Sequence, residues 1–308
     1  MASNFSRHFA ERTKDMKASE VRELLKLLQV PGMISFAGGF PNPETFPIEL
    51  IRKIADDILR TDGPQALQYG ITEGYPPLRE AVADRMNKKG MDVSKDNVLI
   101  TSGSQQVIDL MGKMFIDPGD IVVVSAPTYL AALTSFSAYQ ANFESIPLDQ
   151  DNMRMDLFED RIKKLARRGR PPKIVYVLPN FHNPAGVTMP EKSRKKLIDL
   201  ASDFDLIVLE DDPYSELRYT GEPIPPIKSF DDEGRVVYMG TFSKILAPGL
   251  RTGWLVADPE ILRKLVIAKQ SADVCTNVLS QRIAHEYIVQ GHIDPQIEKI
   301  KKIYGRKL

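Results

Sequence analysis

The sequence predicts an α/β fold with a mostly parallel, buried sheet. Three observations predict it. From about residue 97 short, near-continuous apolar runs alternate with helical patterns. The runs are too apolar to be half-exposed strands, which alternate polar with apolar. Several are followed by a helix-length amphipathic stretch, the repeating unit of a parallel sheet. The expected strands are residues 98–101, 121–125, 143–147, 174–178, 206–210, 236–240 and 254–257, seven in all.

Upstream of the sheet, residues 16–29 read as a helix. Ser19 is its cap, and Val21, Leu24, Leu25 and Leu28 share a face until Pro31 and Gly32 end it. The stretch 35–41, with Gly38, Gly39 and Pro41, reads as irregular. Helices are expected between strands at 106–115 and 190–204, then at 259–272 and 276–290. A last helix begins near Asp294-Pro295, with Ile297, Ile300 and Ile303 on one side. That stripe is expected to stay uncovered, and so to promote association.

Bulk properties exclude several classes. The 308 residues carry 41 basic and 41 acidic side chains, a balance that favours neither nucleic acid nor a membrane surface as partner. The one cysteine, Cys275, allows no intrachain disulfide and fits a reducing compartment. The first 17 residues lack the apolar stretch of a signal peptide, and no run is long enough to span a bilayer. A cytoplasmic protein is expected.

In such sheets ligands sit beyond the carboxyl ends of the strands. The first strand is followed by Thr101-Ser102-Gly103-Ser104-Gln105-Gln106 and a helix. Hydroxyls and a glycine at a helix start serve an anion site or a simple N-cap, and both readings stand. It is not a Walker loop, since no lysine follows at the required spacing. Tyr129, after the second strand, either packs on the surface or stacks on a planar ring. Asn183, before Pro184, marks a turn or donates to a phenolate oxygen. Glu210, Asp211 and Asp212 end the fifth strand; they emerge into solvent, or one of them faces a cation. Lys244 follows the sixth strand, between Thr241, Ser243 and Arg251, where a lysine either reaches water or serves as a nucleophilic amine.

Each signal alone is weak, but their order is specific. Residues 102–106, Asn183-Pro184, the Asp211-x-x-Tyr214 spacing and residues 241–251 resemble the class I/II pyridoxal-phosphate aminotransferases of fold type I. The subgroup most resembled is that of 2-aminoadipate and aromatic amino-acid aminotransferases, through residues 19–39 and the stretch Gln68-Tyr69-Gly70 to Leu78-Arg79. The resemblance implies a three-layer large domain at 46–290, an N-terminal segment at 1–45 that covers the site, and the start of a truncated small domain at 291–308.

It also implies roles. Lys244 links to pyridoxal 5'-phosphate as a Schiff base and shuttles the substrate proton; Asp211 pairs with the ring nitrogen; Asn183 and Tyr214 donate to the ring oxygen; Tyr129 stacks on the ring. Ser102, Gly103, Ser104, Gln105, Thr241, Ser243 and Arg251 surround the phosphate, and Tyr69 reaches the phosphate held by the other subunit of an obligate homodimer. Ser19, Arg22, Gly39 and Asn183 contact substrate, with Arg22 suited to an acidic side chain. The expected partners are an amino acid and a 2-oxo acid such as 2-oxoglutarate. A carbon–sulfur lyase and a non-catalytic regulatory domain are the alternatives on the same fold. In resembling enzymes an arginine well beyond the first helix of the C-terminal part holds the substrate α-carboxylate. Since the chain ends at Leu308, a truncated form with weak carboxylate binding is expected.

Overall fold

The computed structural model describes residues 5–14, 16 and 39–306. The expected helix at 16–29, and with it Ser19 and Arg22, lies outside the described residues apart from Met16.

The sheet strands are β1 (Val98–Thr101), β2 (Ile121–Ala126), β3 (Asn142–Asp149), β4 (Asn152–Met153), β5 (Ile174–Val177), β6 (Ile207–Asp211), β7 (Val236–Thr241) and β8 (Gly253–Val256). Their order across the sheet is β1-β8-β7-β6-β5-β2-β3-β4. Neighbours from β7 through β6, β5 and β2 to β3 run parallel, whereas β8 is antiparallel to both β1 and β7. The described sheet therefore has eight strands, not seven. The extra one is the two-residue β4, which folds back on β3 with Leu148 opposite Met153. Two residues carry no periodicity, so the strand has no local signature.

Helices α1 (Ile48–Ala66), α2 (Pro76–Asn87), α3 (Ser104–Phe115), α4 (Leu130–Ser137), α5 (Met155–Arg167), α6 (Glu191–Asp203), α7 (Pro259–Asp273), α8 (Val278–Val289) and α9 (Ile293–Tyr304) complete the described fold. Strand alternation sorts them into layers. Leu99, Val122, Val124, Tyr176, Leu209, Val237 and Leu255 point to one face, against Val107, Met111, Phe136 and Leu265 of α3, α4 and α7. Val98, Ile100, Tyr238, Trp254 and Val256 point to the other, against α1, α2, α8 and α9. On that side Val123, Val175 and Val208 meet Phe158, Ile162 and Leu197 of α5 and α6. This is a three-layer sandwich. Helix ends follow the local chemistry: Asp258 caps α7 by accepting from the Glu260 amide at 2.8 Å, with Pro259 in the first turn.

The expectation of an uncovered stripe on the last helix is overturned. Ile297 and Ile300 are 6% and 1% exposed, and Ile303 is half-buried. The cover comes from far along the chain. Gln296 Nε2 donates to the Thr45 carbonyl at 2.6 Å, the Asn42 amide donates to the Tyr304 hydroxyl at 3.0 Å, and Arg85 of α2 bonds Asp294 at 2.9 Å. Among the described residues, no helix is long and apolar enough to cross a membrane.

Candidate active site

Topology first brings two separate stretches together. Gly253, at the start of β8, pairs with Thr101 at the end of β1 and with Thr241 at the end of β7. The loop after Thr101 and the Ser243-Lys244 segment therefore flank one residue. That residue has to be small, because a Cβ on Gly253 would lie 2.7 Å from the Ser104 amide and 3.0 Å from the Gly240 carbonyl.

At the loop, Gly103 has φ +81°, a conformation that suits glycine, and α3 starts at Ser104. A Cβ on Gly103 would sit 2.4 Å from Arg251 Nη2, so loop and guanidinium are packed directly on each other. Arg251 itself has φ +50° and donates to the Ser102 carbonyl at 3.4 Å. The Ser104 and Gln105 amides are the first of the helix and have no acceptor within it. Such an arrangement of helix-start amides beside a guanidinium suits an anion.

Parts of the expected phosphate set differ in detail. The Gly103 amide folds back to the Thr101 carbonyl at 2.8 Å, so it is not an open donor. The Ser102 hydroxyl donates to Asp273 Oδ2 at 2.7 Å, and the Gln105 side chain donates to Ser135 at 2.7 Å. Their side chains brace the loop from within. Thr241 and Ser243 share a hydroxyl–hydroxyl hydrogen bond of 2.9 Å.

Lys244, Asp211 and Tyr214 come together at the carboxyl ends of β6 and β7, with Asp211 the last residue of β6. Lys244 Nζ lies 5.9 Å from the centre of the Tyr214 ring. Burial lowers the Lys244 pKa, and the nearby Asp211 opposes that shift. Asp211 is 4% exposed and accepts a 2.7 Å hydrogen bond from the hydroxyl of Tyr176, itself fully buried on β5. Burial pushes the Asp211 carboxyl up to about 7, helped by neighbouring Asp212 and opposed by Tyr176 and Lys244. A carboxylate held there is short of positive charge. Tyr214 is pushed up to about 12 by burial and then by Asp211 and Tyr129, while a hydrogen bond with Asn183 pulls it down. Tyr129 opens α4 and is close enough to raise both Tyr176 and Tyr214.

The two adjacent aspartates differ sharply. Asp212 accepts from Asn180 at 2.9 Å, from the Ser215 hydroxyl at 2.5 Å and from Tyr238 at 2.9 Å, with Lys89 Nζ at 3.7 Å. Burial alone would raise its pKa, but Lys89 and these donors hold it below the usual value. Asp212 is therefore spent on the protein, and Asp211 is the carboxylate left for a cation.

Among the described residues no hydrogen bond joins Gly39 or Tyr69 to Lys244, Asp211 or Tyr214. Gly39 is exposed with open space around it, and Tyr69 is 81% exposed. Sequence reasoning missed Tyr176, whose hydroxyl is hidden in the apolar run of β5, and it missed Asp273 and Lys269 on α7.

The residues present fit pyridoxal phosphate. A buried carboxylate held by one protein hydrogen bond and no ion pair suits a protonated ring nitrogen, a partly desolvated amine suits an aldehyde, and the glycine–arginine loop suits a phosphate. Comparisons agree. The sequence profile described as "Aminotransferase class I and II" matches residues 33–303. The chain is 54% identical over 302 residues to an aromatic-amino-acid aminotransferase of Thermococcus litoralis, covering 98% of this chain and 72% of that one. It is 40% identical over 307 residues to the 2-aminoadipate transaminase of Thermus thermophilus, covering 99% and 75%. The fold superposes with a TM-score of 0.94 at 52% identity on the kynurenine aminotransferase of Pyrococcus horikoshii, solved with PMP, covering 98% and 75%. The chain belongs to the class I and II aminotransferases, enzymes that transaminate with pyridoxal phosphate.

Proposed function

We propose that this chain exchanges the amino group of an aromatic, glutamate-type or 2-aminoadipate-type amino acid for the oxygen of a 2-oxo acid, and that it works as a cytoplasmic homodimer. The observation that carries the site assignment is the difference between Asp211 and Asp212: one buried carboxylate pushed up to about 7, beside one fully satisfied by protein donors.

Bound pyridoxal phosphate supplies an electron sink for the charge left when the substrate α-proton departs. The chain's own residues do the rest. Lys244 Nζ would hold the cofactor between turnovers, and it would take up the proton that leaves the substrate α-carbon and deliver it to the cofactor. Burial lowers the Lys244 pKa, which favours the uncharged amine that a base must be. Asp211 keeps a proton on the ring nitrogen. Tyr214 and Asn183, hydrogen-bonded to each other, orient the ring oxygen. Tyr129 packs on the ring. Arg251, Ser104 and the Gln105 amide hold the phosphate, braced by Ser102, Gly103, Thr241 and Ser243. Tyr69, exposed in the single chain, reaches the site of the partner subunit. Gly39, Ser19 and Arg22 border the substrate, and Arg22 pairs with an acidic side chain.

The test is a half-reaction panel. Purified protein loaded with pyridoxal phosphate is mixed with stoichiometric glutamate, 2-aminoadipate, phenylalanine or kynurenine, and the 2-oxo acid is measured. Each true donor yields one equivalent of 2-oxo acid with the amino group retained on the cofactor. Release of ammonia or sulfide instead, or silence across the panel, contradicts the proposal. For Arg22→Ala, a larger fall in kcat/KM on glutamate than on phenylalanine is expected; equal losses rule out a side-chain role.

A further inference from the structure

A lysine with no assigned part in the chemistry is fully buried next to the candidate anion loop. Lys269 lies one turn before the end of α7, its side chain 0% exposed, and its Nζ donates to Asp273 Oδ1 at 2.6 Å. The other oxygen of Asp273 accepts from Ser102 Oγ at 2.7 Å and from Gln106 Nε2 at 2.9 Å. Gln106 Oε1 in turn accepts from the Ser102 amide at 2.8 Å. One carboxylate on α7 thus ties down both the residue that leaves β1 and the first turn of α3.

By charge alone, Asp273 is misplaced. A carboxylate at the C-terminal end of a helix, beside a loop built for an anion, adds to the negative potential of that helix end. It is ionised nonetheless: burial raises its pKa, but Lys269, Gln106 and Ser102 together hold it below the usual value. The backbone here is also forced. Val274, the next residue, has φ 61° and ψ −60°, which a β-branched side chain rarely adopts and which persists only where surrounding structure demands it.

We propose that Lys269 neutralises Asp273, so that this carboxylate can hold residues 102–106 in their anion-binding shape without repelling the cofactor phosphate. Lys269 and Asp273 are then positioning residues that act through Ser102 and Gln106. The proposal rests on the reading of that loop as the phosphate site.

The experiment compares the affinity of the apoprotein for pyridoxal phosphate and for pyridoxal, which keeps the ring and aldehyde but lacks the phosphate. Wild type, K269M, D273N and K269M/D273N are measured by equilibrium dialysis, with circular dichroism to verify folding. Wild type favours the phosphorylated form. Removing the compensating cation in K269M lowers that preference by about tenfold or more, as expected for an uncompensated charge bonded to the loop that holds the anion, and leaves pyridoxal binding little changed. D273N keeps the preference, and K269M/D273N recovers it. A merely structural role would weaken both ligands together. An unchanged preference in K269M, or a double variant no better than K269M, overturns the proposal. Where K269M gives no folded apoprotein, the double variant decides: it has no charge left to repel, so a tenfold loss of preference there overturns the proposal. Equal binding of both ligands by wild type brings down the phosphate-loop reading, and this proposal with it.

Discussion

At the scale of single residues, Asp211 and Asp212 carry the sharpest contrast. Both are buried, yet only Asp212 has a full set of protein donors. D211A is expected to reduce kcat by orders of magnitude while the protein still folds and binds cofactor through its phosphate. D212A removes an anion from a buried network that includes Lys89, and should cost about 3 kcal/mol of stability. Steady-state kinetics and urea unfolding of the two variants check this; normal turnover in D211A means the wrong aspartate has been chosen. A pH effect follows as well. A carboxyl whose folded pKa is raised binds its proton more tightly when folded, so its stabilising effect is present below the unfolded value and is lost as pH rises through the folded one. Asp211 and Glu210 are both pushed up to about 7 by burial, from 3.8 and 4.5. The apoprotein should therefore lose stability as pH climbs from about 4 to about 7, and D211N should flatten part of that slope. Thermal melts of the apoprotein across that range test it; an identical slope in D211N contradicts it.

At the scale of elements, the anion loop and the last helix show what is legible in local sequence and what is not. The loop was readable because a glycine among hydroxyls at a helix start has few physical uses. Its wiring was not: nothing near Ser102 announces that its hydroxyl turns to Asp273, 171 residues away. The same holds for the choice between Asp211 and Asp212, made from a spacing but explained by Tyr176 on β5, Tyr238 on β7 and Lys89 just after α2. Gly103→Ala should be poorly tolerated, since φ +81° disfavours a side chain and the new carbon meets Arg251. The expected cost is about 1–3 kcal/mol of stability, together with weaker cofactor binding, read from melts and cofactor titration. The amphipathic period of α9 correctly located the helix, but periodicity says which side is apolar and not what covers it. Because Ile300 is 1% exposed, Ile300→Ala should destabilise the fold by about 2–5 kcal/mol in urea unfolding. A loss below 0.5 kcal/mol would mean that the helix is not docked as described.

At the scale of the whole molecule, a parallel run of β7, β6, β5 and β2 places Lys244, Asp211 and Asn183 beyond neighbouring strand ends. The antiparallel β8 then ties the phosphate loop to the lysine segment through Gly253. The seven apolar runs sufficed to foresee a mostly parallel buried sheet, because buried strands need continuous apolar sequence; they say nothing of the strand order or of the antiparallel β8, and β4, held by its pairing with β3, has no run of its own. The central claim is that this geometry makes Lys244 the residue that carries the cofactor. The direct measurement is borohydride reduction of the protein loaded with pyridoxal phosphate, followed by proteolysis and mass mapping of the modified peptide. The account predicts one equivalent of label, on Lys244. Label on another lysine, Lys269 or Lys89 included, would contradict it.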